Sequence, residues 1–331
     1  MTASSPSASS GAAAPSTAKR SGSGGSGASA GTGNRRPPET PVWRRKLWPY
    51  LLSVPAVLIV IGILYPFVLG AIYSFLNYAA VNPDPKFVGF RNFGSVLTDP
   101  TFWGSVLLTL AFAVVATAVE TILGVAVALL LNRSSLIGRI FERVLILPLM
   151  IAPVIAGVIW KLMFNPQFGV LNHIFGLGST FDWLSKQNAF GSIVLVDLWI
   201  FTPFVAILVL AGIRSLPKEP FEASSVDGAG WFYMFRRLML PMMWPYILVA
   251  VIFRFMDNLK VFDAIYVLTA GGPGVATRTL QIGAFEDSII RLDYSRGSTY
   301  MLILFIIVFI TARYLVKALG RAQARAAGSE S

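Results

Sequence analysis

Arg254, Asp257, Asn258, Lys260 and Asp263 lie within ten positions of one another inside an otherwise apolar run. Carboxylates and an amide are groups that hydrogen-bond well to hydroxyls. Counted from Met242 at about 1.5 Å per helical residue, Arg254 and Asp257 fall near the middle of a membrane crossing. A charge facing lipid at that depth costs roughly 2.5–3.5 kcal/mol. A helix with four of them must turn that face to protein or to a watery path. Two readings stay open. In the first the charges, which sum to zero, pair among themselves: Arg254 with Asp257 or Asn258, and Lys260 with Asp263, at helical spacings. In the second some of them, among Arg254, Asp257, Asn258 and Asp263, line a watery path through the membrane.

Other chemistries are poorly served. The chain has no cysteine and one histidine, His173, so thiolate and histidine-rich metal sites are excluded and no metal or cofactor is expected. No Gly-x-x-x-x-Gly-Lys-Ser/Thr occurs, so there is no phosphate-cradling loop, and this chain is not expected to hydrolyse ATP. A Ser/His/Asp set is equally unconvincing. The net charge of +11 is spread over tails and loops rather than gathered in a stripe, which argues against a nucleic-acid partner.

The elements that must position these residues follow from composition. Of 331 residues, 55% are hydrophobic and 13% charged, about half the charged fraction of a soluble domain. Six apolar runs are long enough, or nearly so, to cross a bilayer: 49–76, 103–131, 144–163, 189–212, 242–269 and 298–319. The fold class expected is all-α, a polytopic membrane bundle of six transmembrane helices in a lipid bilayer. Prolines inside several runs (Pro55, Pro66, Pro148, Pro153, Pro203) are tolerable where packed neighbours satisfy the freed backbone. Glu120 in the second run and Asp197 in the fourth are expected to be buried and paired. Trp160, Trp199 and Trp244 are expected at the membrane interfaces.

With the runs taken as spans, eighteen of the 27 Lys and Arg fall on the same side of the membrane as the N-terminus, six on the other side and three in or near the runs themselves. Positive charge favours the cytoplasm, so both ends are expected on the cytoplasmic side of the inner membrane. Residues 1–46 read as a disordered cytoplasmic tail rich in Ser, Ala, Gly and Pro. Residues 47–319 are expected to form the transmembrane bundle and 320–331 a second cytoplasmic tail.

The loop 213–241 then lies inside the cell. Pro217 and Pro220 punctuate its entry, a short helix is expected over 218–226, and Gly228 and Gly230 allow a sharp turn. A second helix should run from Trp231 and end at Pro241. Phe221, Trp231, Phe232 and Phe235 are large apolar residues in a watery loop, the mark of a contact surface.

The spacing in this loop is distinctive. Glu222-Ala223-Ser224, three residues, Gly228, nine residues, Leu238, one residue and Leu240-Pro241 resembles the EAA motif of permease subunits in binding-protein-dependent ABC sugar importers of the maltose type. Ser224 for Ala and Leu238 for Ile are mild departures. Asp227-Gly228-Ala229 is similar to the Asp-Gly-Ala of the sugar-type branch. Shorter likenesses run in order over roughly 45–320, including Leu64-Tyr65-Pro66, Phe87 to Phe93, Phe164-Asn165-Pro166 and Gly271-Gly272-Pro273.

The resemblance implies a coupling helix seated in a cleft of a cytoplasmic ATP-binding subunit, with Glu222, Ala223, Ser224, Asp227, Gly228, Ala229, Leu240 and Pro241 at that contact. It also implies a second, heterologous permease subunit, an extracytoplasmic substrate-binding protein, and a sugar cargo, most naturally a di- or oligosaccharide. In such permeases binding groups come from the region of Asn258. Two rivals are an ion-coupled secondary transporter, which would often show internal repeats absent here, and a non-transporting scaffold, which leaves both the polar fifth run and the loop unexplained.

Overall fold

A computed structural model of the protein describes residues 42–132 and 136–328. By compactness the chain divides into residues 1–58 and 59–331. Among the described residues the first part supplies only the start of a helix, and the packing below concerns the second. The tail read over 1–46 lies outside the described residues up to position 41; helix begins at Val42.

In chain order, α1 (Val42–Tyr73) leads into a hairpin of β1 (Leu76–Ala79) and β2 (Asn82–Phe87), then α2 (Arg91–Leu97) and α3 (Pro100–Leu131). Next come α4 (Leu136–Leu145), a 3-10 turn at Leu147–Met150, α5 (Pro153–Met163), α6 (Val170–Phe175) and α7 (Ala189–Arg214). The chain continues through α8 (Glu219–Val226), α9 (Trp231–Met234), a π turn at Phe235–Met239, and α10 (Leu240–Leu259). It closes with α11 (Asp263–Thr269), α12 (Leu280–Phe285), a π turn at Glu286–Ile290, and α13 (Tyr294–Gly328).

Five stretches are long and apolar enough to span a bilayer: Ser53–Tyr73, Pro100–Leu131, Ala189–Arg214, Trp231–Leu259 and Tyr294–Ala324. A sixth is a pair of pieces, Gly138–Met150 and Pro153–Met163, bent by 97°. The all-α polytopic expectation therefore holds, with three corrections of detail. The third run is not one straight helix, because Pro148 and Pro153 remove backbone donors on both sides of the break. The fifth run does not continue to 269; the backbone leaves helical geometry at Lys260 and Phe262, and Asp263 opens α11. Nor does the helix from Trp231 end at Pro241. It passes through to Leu259, and the π turn just before Pro241 absorbs the irregularity that a proline brings to a helix.

α3 is the spine of the bundle and packs along α7 and α10. Close approach to α7 depends on Gly124, where an added methyl would stand 2.7 Å from Val205 Cβ and 3.1 Å from the Ala206 amide. Small residues at such crossings let helix backbones meet without a polar driving force. Gly124→Leu should overpack this contact and cost about 1–3 kcal/mol. A lowered melting temperature of the detergent-solubilised protein is the expected readout, and an unchanged one contradicts the contact.

Three apolar clusters complete the core. One joins α3, α5, α7 and α11 through Phe112, Trp160, Ile193 and Ile265. Another joins α3, α7 and α10 through Leu131, Val205 and Met243. A third joins α3, α12 and α13 through Phe102, Leu280 and Tyr300. Trp160 is thus a core residue packed edge-on to Trp199. Trp199 and Trp244 are exposed. By contrast α1 shows its apolar side chains outward, Ile59 and Ile63 being more than half exposed, as suits a lipid-facing surface.

The hairpin is held to the opening of α13. Tyr78 N–H donates to Ser295 Oγ at 2.7 Å, and Ala80 N–H to the Leu292 carbonyl at 2.9 Å. Beneath it the buried Asp287 carboxylate accepts from Arg291 at 2.8 Å and Arg296 at 3.0 Å, and Arg296 also pairs with Asp99. Burial pushes the Asp287 carboxyl above its usual range against the pull of those guanidinium groups.

Candidate functional site: a buried charge hub and an exposed helical knob

Thr117 and Glu120 on α3, Asp197 and Phe201 on α7, and Arg254 and Asn258 on α10 meet at one point in the interior. Arg254, 1% exposed, forks onto Glu120 with Nε to Oε2 and Nη2 to Oε1, both 2.8 Å. Its Nη2 also reaches Asp197 Oδ2 at 3.0 Å and Asn258 Oδ1 at 2.8 Å. The guanidinium lies 3.8 Å from the centroid of the Phe201 ring. Such a planar fork serves several acceptors at once, which an ammonium on a flexible stem cannot do with the same geometry. Asn258 donates its other end to Thr117 Oγ1 at 3.1 Å, so both ends of its amide are engaged.

One turn along α10, Asp257 is about half exposed at 53%. It lies 3.8 Å from Arg254 Nη1 and 3.2 Å from Lys260 Nζ. Of the pairings expected within the fifth run, Arg254 with Asn258 is present and Arg254 with Asp257 is present at long range. Lys260 pairs with Asp257 rather than with Asp263. The reason is the helix break: Asp263 begins a new helix, so the spacing that would bring it to Lys260 is lost. Asp263 is exposed.

Glu120 and Asp197 were expected to be paired, and both are, but their shared partner Arg254 was not foreseen. The signal was present in the sequence as a single acidic residue in each of two apolar runs and a single arginine in a third. Phe201 and Thr117 carried no signal of their own.

The second site is the loop. α8 is led by Pro220 in its first turn and ends at Asp227. Gly228 N–H donates to the Ser225 carbonyl at 3.1 Å and Ala229 N–H to the Ser224 carbonyl at 3.0 Å. That pair of bonds is a Schellman close, which requires a left-handed residue just past the helix end. Gly228 supplies it with φ +77°. The motif spacing thus has a local cause: with three residues intervening after Ser224, the helix must close at a glycine, Gly228.

Glu222, Ala223 and Asp227 are exposed, Ser224 and Ala229 half-buried. A cleft of about 610 Å³ on one side of α8 is lined by Lys218, Phe221, Glu222, Trp231 and Phe235 among others. Another of about 660 Å³ on the other side is lined by Ala223, Ser224, Asp227, Ala229 and Tyr233. Trp231 stacks on Phe235 with ring centroids 5.5 Å apart. Leu240 and Pro241 lie farther on, at the start of α10. α8 therefore projects as a knob with grooves along both sides.

Residues 120–322 match the family described as binding-protein-dependent transport system inner membrane component. The chain is similar to the trehalose/maltose transport system permease protein MalF of Thermococcus litoralis, 38% identical over 264 residues that cover 78% of this chain and 89% of that one. A probable ABC transporter permease protein of Sinorhizobium fredii is 35% identical over 270 residues, covering 80% and 86%. Among solved structures, a chain of a bacterial ABC transporter involved in the import of the acidic polysaccharide alginate shares the fold. It superposes with a TM-score of 0.75 at 20% identity, over 85% of this chain and 98% of that one. A span-rich α bundle, a glycine-closed knob between two spans and these likenesses converge: the chain is a multi-pass membrane protein and belongs to the family of binding-protein-dependent transport system inner membrane components.

Proposed function

We propose that this permease subunit forms half of the path for a di- or oligosaccharide in an ABC importer, with a second, heterologous permease completing it. ATP is hydrolysed on separate cytoplasmic subunits, and an extracytoplasmic binding protein delivers the cargo. Both ends of the chain lie on the cytoplasmic side of the inner membrane, as the distribution of Lys and Arg favours. The observation that carries the reading is α8, a short rigid helix whose small and acidic residues, Ala223 and Glu222, stand clear of the bundle between two grooves. A small residue permits close approach to a partner surface, and a carboxylate can pair with a partner cation. The trehalose/maltose relative supports the cargo class.

Of the four groups placed on the solute path, Asp257 and Asp263 are exposed and offer carboxylates to hydroxyls. Arg254, itself bonded to Asn258, lies 3.8 Å from Asp257 and supports that carboxylate from inside the bundle. In this division Asp257→Asn should raise the substrate concentration for half-maximal uptake about tenfold, the worth of one hydrogen bond to a charged acceptor, while leaving assembly intact. Uptake with unchanged concentration dependence contradicts it. The overall reading is tested by reconstituting the complete complex in proteoliposomes with labelled trehalose and maltose. Uptake that needs ATP inside and the binding protein outside is expected. Uptake driven by an ion gradient without ATP would point to a secondary transporter instead.

A further inference from the structure

The root of the α8 knob is tied to α4 by a forked ion pair that neither the motif nor the family description includes. Arg214, the last residue of α7, donates from Nη1 to Glu142 Oε1 and from Nη2 to Glu142 Oε2, both at 2.9 Å. Next to it Ser215 Oγ donates to the Tyr246 hydroxyl on α10 at 2.9 Å. Arg214 also lines the cleft that contains Phe221 and Glu222. The four residues after Arg214 lead directly into α8. Glu142 sits on α4, which continues through the 3-10 turn into the bent third span.

The exposure of the pair decides what it is for. Glu142 is 29% and Arg214 49% exposed, and ion pairs this open to water add little to folding stability. A two-pronged guanidinium–carboxylate contact is nonetheless directional, since both bonds form only in one mutual orientation. A contact weak in stability and strict in direction suits a register device between two elements. The other charged groups on α4, Arg139 and Arg143, are cations, so neither can substitute for Glu142 as the acceptor.

We infer that Glu142 and Arg214 are positioning residues that lock α8 to the bent third span, so that displacement of the knob is passed to α4 and α5 as well as to α10. This rests on the coupling role proposed for α8. Without the fork, the knob still docks but its motion is delivered less completely to the third span.

The test uses the reconstituted complete transporter and reads three quantities: the amount of assembled complex, the ATP hydrolysed per sugar imported, and disulfide-forming proximity of Ala223→Cys to a cysteine on the ATP-binding subunit. Glu142→Gln should leave complex yield and the Ala223→Cys cross-link unchanged while raising ATP consumed per sugar about fivefold or more, the lower range of measured coupling between sites. Glu142→Arg combined with Arg214→Glu should restore the ratio, whereas each single reversal should not. An unchanged ratio in Glu142→Gln, or a double reversal as impaired as the single ones, overturns the inference. Failure of the Ala223→Cys cross-link in the otherwise unaltered complex would instead remove the docking role of α8 on which it rests.

Discussion

Arg254→Met is expected to leave little folded protein in the membrane. The substitution keeps most of the volume but withdraws the one guanidinium that answers Glu120, Asp197 and Asn258 in a dry interior. Removing one partner of a buried ion pair costs about 3–5 kcal/mol, because the charge left behind is uncompensated, and here two carboxylates are left behind. That is a large part of the 5–15 kcal/mol typical of a folded domain. Arg254→Lys should be intermediate, since an ammonium cannot hold the fork on Glu120 and reach Asp197 as well. Adding Glu120→Gln and Asp197→Asn to Arg254→Met should recover much of the loss by removing the stranded charges. The yield of monodisperse protein and its melting temperature after extraction decide the matter. Arg254→Met with wild-type yield and melting contradicts a structural hub.

The joint substitution Glu222→Ala with Gly228→Val should abolish uptake while the subunit still inserts. Valine at φ +77° is held in a region costing about 1–3 kcal/mol for such residues. The Schellman close would open rather than bear it, and α8 would lose its end. Truncating a carboxylate paired with a partner charge at a docked interface costs about 2–5 kcal/mol. Together these exceed about 3 kcal/mol, on the order of a hundredfold loss in productive docking. ATP-driven uptake in proteoliposomes, measured beside the amount of inserted subunit, is the check. Normal transport by this variant would remove α8 from the coupling role. The two experiments separate the sites: the first acts on assembly, the second on work transmitted through an assembled protein.

Much of this architecture was legible from residue order because its causes are local. In lipid each backbone group must be satisfied within its own helix, so a run of apolar residues announces a span without reference to the rest of the chain. The end of α8 is equally local: its closing bonds join residues three and five apart, Ser225 to Gly228 and Ser224 to Ala229, and a spacing motif records that distance directly. The 97° bend of the third run was not legible in this way, because a proline within a span can be accommodated by packed neighbours as readily as it can break the helix.

The choice of partners was a different matter. Arg254 finds Glu120 at a separation of 134 residues and Asp197 at 57. Meeting them depends on the depth and rotation of three helices about their own axes, which no local pattern encodes. The same packing exposes Asp257 to the outside, engages Asn258 on both ends and takes Asp263 out of reach of Lys260 by ending the helix between them. Hydrophobicity and turn chemistry, being properties of short stretches, determined by themselves that this chain spans a membrane six times or nearly so and carries a glycine-closed knob. Which charges neutralise one another, and which are left exposed, was decided only when the spans packed, because electrostatic pairing in a low-dielectric interior follows distance in space rather than distance along the chain.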